Sequence, residues 1–368
     1  MKLLITGGHL APALSLIDEL EKIKSQIDVI FVGRKYPTDK EKTLSLEYRE
    51  ISKKDLVFVS LEAGRLNRII SFSSIISLVK IPFGFIQAFF IINKYRPDKI
   101  MSFGGYLALP IVFWGYVFRV PIYTHEQTIR PGLANKIISF FSKKIFVSFE
   151  DIKNNFPSKK TYVSGNPVKP SIFKINKKVF EIKKTLPIIY ITGGSLGSHS
   201  INQHIKKIIF KLLNSYIVIH QVGDTKEYHD YEDLVLLKNK LPKELKSRYF
   251  LVKHFFDDEI GYIYSQADLV IGRAGANTFF ELLSLKKPAL FIPLPWSSGR
   301  EQQRHAEIFA KAGCGEIFHQ ITPSEKLFQL ISQMMGKIAY YKSNFKNLTK
   351  FYKKNVSQYL ISEIFKQD

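Results

Sequence analysis

The sequence predicts an α/β protein with two doubly wound parallel sheets in tandem. Three observations lead to this prediction. Short apolar runs that indicate buried strands recur along the whole chain. Helical segments separate most of these runs, as parallel strands joined by crossover helices require. The chain has 368 residues, of which 45% are hydrophobic, and this is enough for two domains with full cores.

Twelve segments are predicted as strands, six in each half of the chain. In the first half they are Lys2–Thr6, Asp28–Val32, Leu56–Ser60, Lys99–Phe103, Pro121–Thr124 and Lys144–Ser148. In the second half they are Pro187–Thr192, Ile217–Gln221, Tyr249–Val252, Leu269–Gly272, Pro288–Ile292 and Gly315–Phe318. Two prolines and a glycine in Ser164–Pro170 disfavour both helix and central strand, which places a domain boundary there. We therefore expect domains at residues 1–166 and 167–336, and a Lys-rich helical segment, residues 337–368, that packs on one of them.

The charge of the chain restricts its partners. With 54 Lys and Arg against 32 Asp and Glu, the net charge is +22, which attracts nucleic acid, anionic membranes or phosphorylated substrates. No helix-turn-helix or aromatic–basic module is recognisable, so we expect no nucleic-acid partner. The single cysteine, Cys314, excludes an internal disulfide and a cysteine metal cluster. Met1–Gly8 turns too early for a signal peptide, so we expect a cytoplasmic protein.

Two glycine-rich turns in the second half each lie between a predicted strand and a helix. Gly272–Glu281 exposes backbone N–H groups at a helix start, where negative charge is favoured, and Glu281 is a candidate partner for sugar hydroxyls. Thr278 and Glu281 also fit a capping box, in which the carboxylate only binds a backbone N–H. Gly193–Gly197 fits an anion loop with Ser195 on a phosphate, the nucleophile elbow of serine hydrolases, or a plain tight turn. Two such helix starts in one half favour anion binding.

Polar residues also follow three other predicted strands. Thr6–His9 has two glycines that allow an anion to approach, and His9 is a candidate general base unless it only caps the next helix. His125–Thr128 places four polar residues after an apolar run, where burial is costly unless they are paired or wet, but it lacks the second His of a zinc motif. Ser297–His305 offers amide side chains suited to sugar hydroxyls, or forms a solvated helix start.

Residues 69–92 form the most apolar region of the chain. The region is nominally long enough to span a bilayer, but Lys80, Pro82, Gly84 and several serines interrupt it. Basic residues flank it on both sides, and an apolar patch with a basic rim suits the surface of an anionic membrane. The alternative is a pair of buried core helices.

Over nearly its whole length the chain resembles the MurG family of GT-B glycosyltransferases, which add N-acetylglucosamine to lipid I in peptidoglycan synthesis. The order and spacing of several motifs carry the resemblance. They are Thr6–His9, Ser102–Tyr106, His125–Gln127, Pro131–Lys136, Gly165–Val168, Gly193–Gly197 with Asn202, Arg273–Thr278 with Glu281, and Pro293–Pro295 with Gln302. Three positions differ from the family pattern: the first glycine loop is shorter, Thr128 stands for Asn, and His305 stands for Asn.

The resemblance implies a UDP-N-acetylglucosamine site in the second domain and a lipid I site in the first. Ser195 and the amides near Gly194 would hold the diphosphate, Glu281 the ribose, the Phe256 backbone the uracil and Gln302 the sugar. The full donor set is Gly194, Ser195, Phe256, Arg273, Ala276, Thr278, Glu281 and Gln302. The acceptor set is Gly7, Gly8, Gly105, Tyr106, His125, Gln127 and Thr128. His9 is the candidate base, and Glu126 is assigned a catalytic role beside it.

The resemblance further implies an inverting reaction that uses no metal and no cofactor. Helix dipoles and backbone donors would stabilise the UDP leaving group. The expected location is the cytoplasmic face of the cell membrane, in a peripheral enzyme of cell-wall synthesis, cell shape and division. The residues predicted to meet the membrane are Ile75, Leu78, Val79, Phe83 and Phe85. The alternatives are a GT-B transferase with another lipid or glycan acceptor, a nucleotide-sugar-binding protein without turnover, and a hydrolase that uses Ser195.

Overall fold

The computed structural model describes residues 1–23, 26–36, 44–62, 72–223 and 227–366. The chain divides into two compact units. Unit 1 comprises Met1–Lys169 together with Lys353–Asp368, and unit 2 comprises Pro170–Tyr352. Each unit contains one parallel sheet with helical connections, so the predicted fold class is confirmed.

Unit 1 contains a seven-stranded parallel sheet in the order β3-β2-β1-β4-β5-β6-β7. Its strands are β1 (Lys2–Thr6), β2 (Asp28–Gly33), β3 (Val57–Ser60), β4 (Lys99–Ser102), β5 (Ile122–Glu126), β6 (Lys144–Val147) and β7 (Thr161–Val163). Its helices are α1 (Leu10–Lys22), α2 (Leu46–Ser52), α3 (Phe72–Tyr95), α4 (Ala108–Val117), α5 (Leu133–Phe141) and α14 (Val356–Phe365), with 3₁₀ turns at Glu150–Asn155 and Ser158–Lys160.

Unit 2 contains a six-stranded parallel sheet in the order β10-β9-β8-β11-β12-β13. Its strands are β8 (Ile188–Thr192), β9 (Ile217–Gln221), β10 (Tyr249–Val252), β11 (Leu269–Gly272), β12 (Ala289–Phe291) and β13 (Gly315–Ile317). Its helices are α6 (His199–Ser215), α7 (Asp230–Asn239), α8 (Lys243–Ser247), α9 (Asp257–Gln266), α10 (Ala276–Leu285), α11 (Glu301–Lys311), α12 (Ser324–Gly336) and α13 (Ile338–Ser343). Pro170–Phe173, Ser298–Arg300 and Asn344–Phe351 form 3₁₀ turns.

All twelve predicted strands are present, and most of their bounds differ by at most one residue from the prediction. The exception is β5, which continues two residues further, because His125 and Glu126 pair in register with Phe146 and Val147 of β6. The prediction that the polar run follows this strand is therefore wrong for its first two residues. The prediction also missed β7, which adds only three residues at the sheet edge.

The end of the chain contributes to both units. Helix α13 and the turn after it belong to unit 2, whereas α14 returns to unit 1. Leu360 and Ile364 of α14 are fully buried in the same cluster as Leu14 and Ile17 of α1. The Ser357 hydroxyl lies 2.9 Å from that of Ser15, so polar as well as apolar contacts hold α14 in place.

The apolar region around residues 72–95 forms one helix, α3, with Pro82 inside it. The alternative of two separate core helices is therefore wrong. Ala88 and Ile92 are buried in the core of unit 1, while Phe83, Ile86 and Phe90 are 49%, 55% and 62% exposed. No helix within the described residues has both the length and the apolar character needed to cross a membrane.

Candidate active site

Each sheet has one point at which the strand order reverses. In unit 1 it lies between β1 and β4, where Thr6 pairs with Ser102. In unit 2 it lies between β8 and β11, where Thr192 pairs with Gly272. Ligands of open parallel sheets bind at the carboxyl ends of the strands beside such a point. The glycine-rich segments identified from the sequence follow these four strands.

In unit 1 the two loops at this point touch through their glycines. A side chain on Gly8 would place its Cβ atom 2.2 Å from the Gly104 carbonyl oxygen, and one on Gly104 would meet the Asn135 amide at 2.7 Å. Gly104 and Gly105 have φ of +82° and +80°, which glycine adopts without strain. Gly7, Gly8 and Gly105, all predicted acceptor residues, therefore belong to one closely packed backbone surface.

Glu126 is the best-satisfied polar side chain of this edge. It is 2% exposed, and its Oε1 atom accepts from the Thr128 backbone N–H at 2.9 Å. Its Oε2 atom accepts from the Gly132 N–H at 3.1 Å and from the Asn135 Nδ2 atom at 2.9 Å. The Thr128 hydroxyl lies 2.8 Å from Oε1. These donors compensate the carboxylate for its burial.

Two histidines lie near this carboxylate. His9 occupies the position before α1 but makes no side-chain capping bond, so the capping interpretation is wrong. Burial lowers the His9 pKa below its ordinary value of 6.5, and the nearby Glu126 charge partly opposes this. His125 is buried, its Nε2 atom lies 2.9 Å from the Gly165 carbonyl oxygen, and burial lowers its pKa to about 4. Both rings are therefore neutral at pH 7, and a neutral imidazole can accept a proton.

Several buried polar atoms at this edge have no hydrogen-bond partner among the described residues. They are Thr6 Oγ1, Tyr106 OH, His125 Nδ1, Gln127 Oε1 and Asn135 Oδ1. Buried polar groups in folded proteins are nearly always paired, because leaving them unpaired costs free energy. Four of them lie on or just beyond the carboxyl ends of β1, β4 and β5, and Asn135, on α5, binds Glu126 at the end of β5. This arrangement favours a polar ligand at this edge. Three of the five atoms belong to predicted acceptor residues.

Glu47, which no sequence motif indicates, holds the first glycine loop, Gly7–Gly8, in place through hydrogen bonds. Its carboxylate accepts from the Arg34 N–H at 3.1 Å and also from the Gly8 N–H. A side chain on Gly7 would come within 3.0 Å of it. Burial raises the Glu47 pKa, and these backbone donors oppose the rise. Glu47 is far from Gly8 in sequence, so no local pattern connects them.

In unit 2 the loop after β8 is shaped by its glycines. Gly194 and Gly197 have φ of +89° and +81°. The Gly194 N–H donates to Thr192 Oγ1 at 3.0 Å, and the Gly197 N–H donates to the Gly194 carbonyl oxygen at 3.1 Å. Ser195 is exposed at the tip of this turn, just before α6. The helix dipole of α6 makes this loop favourable for an anion.

Arg273 connects this loop to the loop after β11. Its guanidinium donates to the Ser198 and Ser200 hydroxyls at 2.7 and 2.8 Å and to the Ile292 carbonyl oxygen at 2.8 Å. Burial lowers its pKa only to about 10, so it stays charged at neutral pH. Arg273 therefore places a positive charge at the start of α6.

Helix α10 begins at Ala276, with Gly275 before it, so Glu281 lies in the second helical turn. The prediction that Glu281 lies in the first turn is wrong, and so is the capping box, which needs the carboxylate three residues after the cap. The Glu281 Oε2 atom instead accepts from the Tyr264 hydroxyl at 2.7 Å. Ala276 is buried and Thr278 half-buried on the first turn of the same helix.

The remaining predicted donor residues lie in neighbouring loops. Phe256 precedes α9, and its N–H donates to Glu259 Oε2 at 3.0 Å while its ring is exposed. Gln302 turns back over the loop after β12 and accepts from the Leu294 N–H at 2.9 Å. His305 is buried, stacks on Phe279 and binds the Ala274 carbonyl oxygen, so it supports the loop after β11.

A serine hydrolase would need a histidine on the Ser195 hydroxyl. Within the described parts of the chain, no histidine hydrogen-bonds to Ser195. His305 is held at Ala274, and His199 is paired with Asp230 at 2.8 Å. The local geometry therefore favours an anion loop over a nucleophile elbow.

Comparison with known proteins agrees with this conclusion. A model of the glycosyltransferase family 28 N-terminal domain matches residues 6–147, and a model of the family 28 C-terminal domain matches residues 188–360. The chain belongs to glycosyltransferase family 28. The two matches together cover both points at which the strand order reverses and all the loops described above.

Family 28 relatives match across both halves of the chain. A UDP-N-acetylglucosamine–N-acetylmuramyl-(pentapeptide) pyrophosphoryl-undecaprenol N-acetylglucosamine transferase of Treponema denticola is 31% identical, covering 85% of this chain and 81% of that protein. A protein with the same name, numbered 3, from Bacillus thuringiensis is 33% identical, covering 87% of each chain. The crystal structure of Acinetobacter baumannii MurG has a TM-score of 0.72 at 23% identity and covers all of both chains.

Solved structures with other activities share the same fold. The calicheamicin glycosyltransferase CalG4 has a TM-score of 0.66 at 10% identity, covering 99% of this chain and 97% of that chain. At such identities the likeness supports the fold alone. The function therefore follows from membership in family 28 and from the named relatives. The roles of individual residues follow from the local geometry.

Proposed function

We propose that the chain transfers N-acetylglucosamine from UDP-N-acetylglucosamine to lipid I, the undecaprenyl-diphosphate-linked muramoyl-pentapeptide. The observation that carries this proposal is the match to relatives named for this reaction, at 31% and 33% identity over both units. It is an N-acetylglucosaminyltransferase of family 28. The unpaired polar atoms of unit 1 and the anion loop of unit 2 support an acceptor site and a donor site respectively.

For the donor, we assign the diphosphate to the Ser195 hydroxyl and the N–H groups around Gly194. The start of α6 and the Arg273 charge stabilise negative charge at this position. The Glu281 carboxylate, oriented by Tyr264, accepts from the ribose hydroxyls. The Phe256 backbone contacts uracil, and the Gln302 amide contacts the sugar. Ala276 and Thr278 lie at the start of α10 and complete the donor contacts.

For the acceptor, we assign the diphosphate of lipid I to the backbone surface of Gly7, Gly8 and Gly105. Tyr106, His125 and Gln127 have unpaired atoms that suit acceptor hydroxyl and amide groups. Thr128 instead donates to Glu126, so its contribution is to hold that carboxylate.

In the reaction, an acceptor hydroxyl attacks the anomeric carbon of the donor sugar from the face opposite the diphosphate. The new glycosidic bond forms as the bond to the UDP oxygen breaks, which inverts the anomeric configuration. Neutral His9 takes the hydroxyl proton. The Glu126 charge stabilises the imidazolium that results, and this is the effect that partly opposes the lowering of the His9 pKa by burial. UDP leaves as an anion bound by the loop before α6.

We further propose that unit 1 sits on the cytoplasmic face of an anionic membrane. Phe83, Ile86 and Phe90 share one exposed face of α3, because they are three, four and seven residues apart. Helix α4 packs beside α3 and exposes Tyr116 and Val117. Phe85, a predicted membrane residue, is half-buried. The side chains of Ile75, Leu78 and Val79 lie outside the described part of the chain.

The direct test is transfer of labelled N-acetylglucosamine from its UDP form to a lipid I analogue by the purified protein. We expect a labelled lipid II analogue with inverted anomeric configuration. A muramoyl-free lipid diphosphate is the matched acceptor control and should not be labelled. Binding of UDP without transfer to lipid I would refute the proposal, and transfer to the control acceptor would favour a related transferase.

A further inference from the structure

Gln221 lies between the two loops to which the diphosphate and the uracil are assigned. It is the last residue of β9, pairs with Thr192 of β8 on one side and Val252 of β10 on the other, and is 4% exposed. The chain after β8, residues 193–197, is called the diphosphate loop. The chain after β10, which contains Phe255 and Phe256, is called the uracil loop. Because β9 lies between β8 and β10, a side chain at the end of β9 can contact the loops that follow both neighbouring strands.

The carboxamide of Gln221 bonds to the backbone of each loop. Its Nε2 atom donates to the Gly194 carbonyl oxygen at 3.0 Å, and its Oε1 atom accepts from the Phe255 N–H at 3.2 Å. Since a carbonyl only accepts and an N–H only donates, the amide has a single possible orientation. The Tyr190 hydroxyl adds a third bond, to Oε1 at 3.2 Å.

The bond to the Gly194 carbonyl oxygen fixes the orientation of the whole peptide group between Gly194 and Ser195. In a planar trans peptide the carbonyl oxygen and the following N–H point in opposite directions. Holding the Gly194 oxygen toward β9 therefore directs the Ser195 N–H away from the sheet, where the diphosphate is assigned. The bond to the Phe255 N–H likewise fixes the backbone that enters the proposed uracil contact at Phe256.

We propose that Gln221 is a positioning residue that holds the diphosphate loop and the uracil loop at a fixed separation, so that UDP engages both together. The inference rests on the proposed UDP-sugar activity. Gln221 itself touches neither the nucleotide nor the reacting atoms. Its effect is preorganisation: the two loops need not be ordered against each other when the ligand binds.

The variant Gln221→Leu has nearly the same shape but removes both backbone bonds. Tyr190→Phe is the matched control, because it removes one bond to the same oxygen and leaves both loops joined. We expect the dissociation constant for UDP to rise about tenfold in Gln221→Leu and less than about threefold in Tyr190→Phe. Uridine, which engages only one loop, should change less than UDP. The KM for donor should rise while the KM for acceptor stays constant.

The ratio of uridine to UDP dissociation constants is the decisive quantity, since a general loss of stability would lower both affinities together. An unchanged ratio in a folded Gln221→Leu protein would overturn the inference while leaving the proposed function intact. Gln221→Asn keeps the amide but is too short to reach both loops, so it should change the ratio of uridine to UDP dissociation constants as Gln221→Leu does. If Gln221→Leu fails to fold, Gln221→Asn provides the test. A wild-type protein that binds no UDP would overturn both proposals.

Discussion

His9 combines two properties required of a base at neutral pH. Its pKa is lowered by burial, so the ring is neutral, and it lies close enough to Glu126 for that charge to favour the protonated form. Since the base acts only when deprotonated, the rate should fall as the pH drops through the His9 pKa. That pKa lies below 6.5, so we expect the acid limb of kcat/KM for the acceptor to lie below pH 6.5.

The same residue can be tested by substitution. His9→Ala should lower kcat by about 10²- to 10⁴-fold, the usual contribution of a general base, and should abolish the acid limb. The dissociation constant for UDP serves as the control and should not change, since His9 belongs to unit 1. A variant that keeps the wild-type rate and pH profile would remove His9 from the mechanism.

Tyr264 offers a test of the carboxylate on α10. Tyr264→Phe removes the hydroxyl that holds Glu281 but keeps the ring, which packs edge-on against Tyr190 at 5.7 Å. We expect UDP to bind about three- to tenfold more weakly, because the net contribution of one ordinary hydrogen bond is about 1 kcal/mol. The matched ligand is 2′,3′-dideoxy-UDP, whose affinity should stay the same. Equal losses for both ligands would contradict the assignment of Glu281 to the ribose.

At the level of single elements, the start of α10 can be tested through Gly275. A Cβ atom there would meet no other atom within 4 Å, and its φ of −65° is ordinary for any residue. Gly275→Ala should therefore change the free energy of unfolding by no more than about 1 kcal/mol, the usual difference at such a cap. If the nucleotide approaches this backbone, UDP affinity should fall about tenfold, as measured by calorimetry.

Gly132 provides the control for this substitution. It occupies the same position before α5, with a φ of −67° and no atom within 4 Å of where a Cβ would lie, but in unit 1. Gly132→Ala should leave UDP affinity unchanged. If both variants bind UDP as the wild type does, the nucleotide does not approach the start of α10.

The elements also show what can and cannot be predicted from the sequence. The loops after β1, β4, β8 and β11 are recognisable because glycine turns follow apolar runs, and parallel strands bring their carboxyl ends to one edge. Glu47, Gln221 and Tyr264 are not, because each acts on a segment distant in sequence and has no motif of its own. Arg273 is recognisable, but its role in joining two loops depends on Ser198 and Ser200, whose partner only the fold reveals.

The position of Glu281 within its helix differs from the prediction for a related reason. Thr278 and Glu281 have the spacing of a capping box, but Gly275, which is about as favourable as Thr at a helix start, is the capping residue in the structure. The helix begins at Ala276 because the buried Ala276 and Phe279 pack into unit 2 from that position onward. Packing of an apolar face therefore decides between two helix starts that local capping preference leaves nearly equal.

At the scale of the whole molecule, the proposed membrane binding depends on two features, the charge of +22 and the exposed apolar face of α3. Ile86→Ser with Phe90→Ser should reduce flotation with anionic vesicles, because both side chains are more than half exposed. Phe210→Ser with Leu236→Ser removes comparably exposed side chains from unit 2 and should not change flotation. High salt should weaken wild-type binding by screening the basic charge. Equal flotation by both variants would refute the membrane role of α3.

The return of α14 to unit 1 determines when that unit is able to fold. Buried residues of α14 complete the hydrophobic cluster on α1, and Gln358 and Glu363 add polar contacts to Glu19 and Lys144. A ribosome must therefore synthesise all of Pro170–Tyr352 before the first-made sheet can cover this face. Unit 2 is continuous in sequence and does not need α14, whereas the apolar face of α1 in unit 1 stays uncovered until α14 has been made.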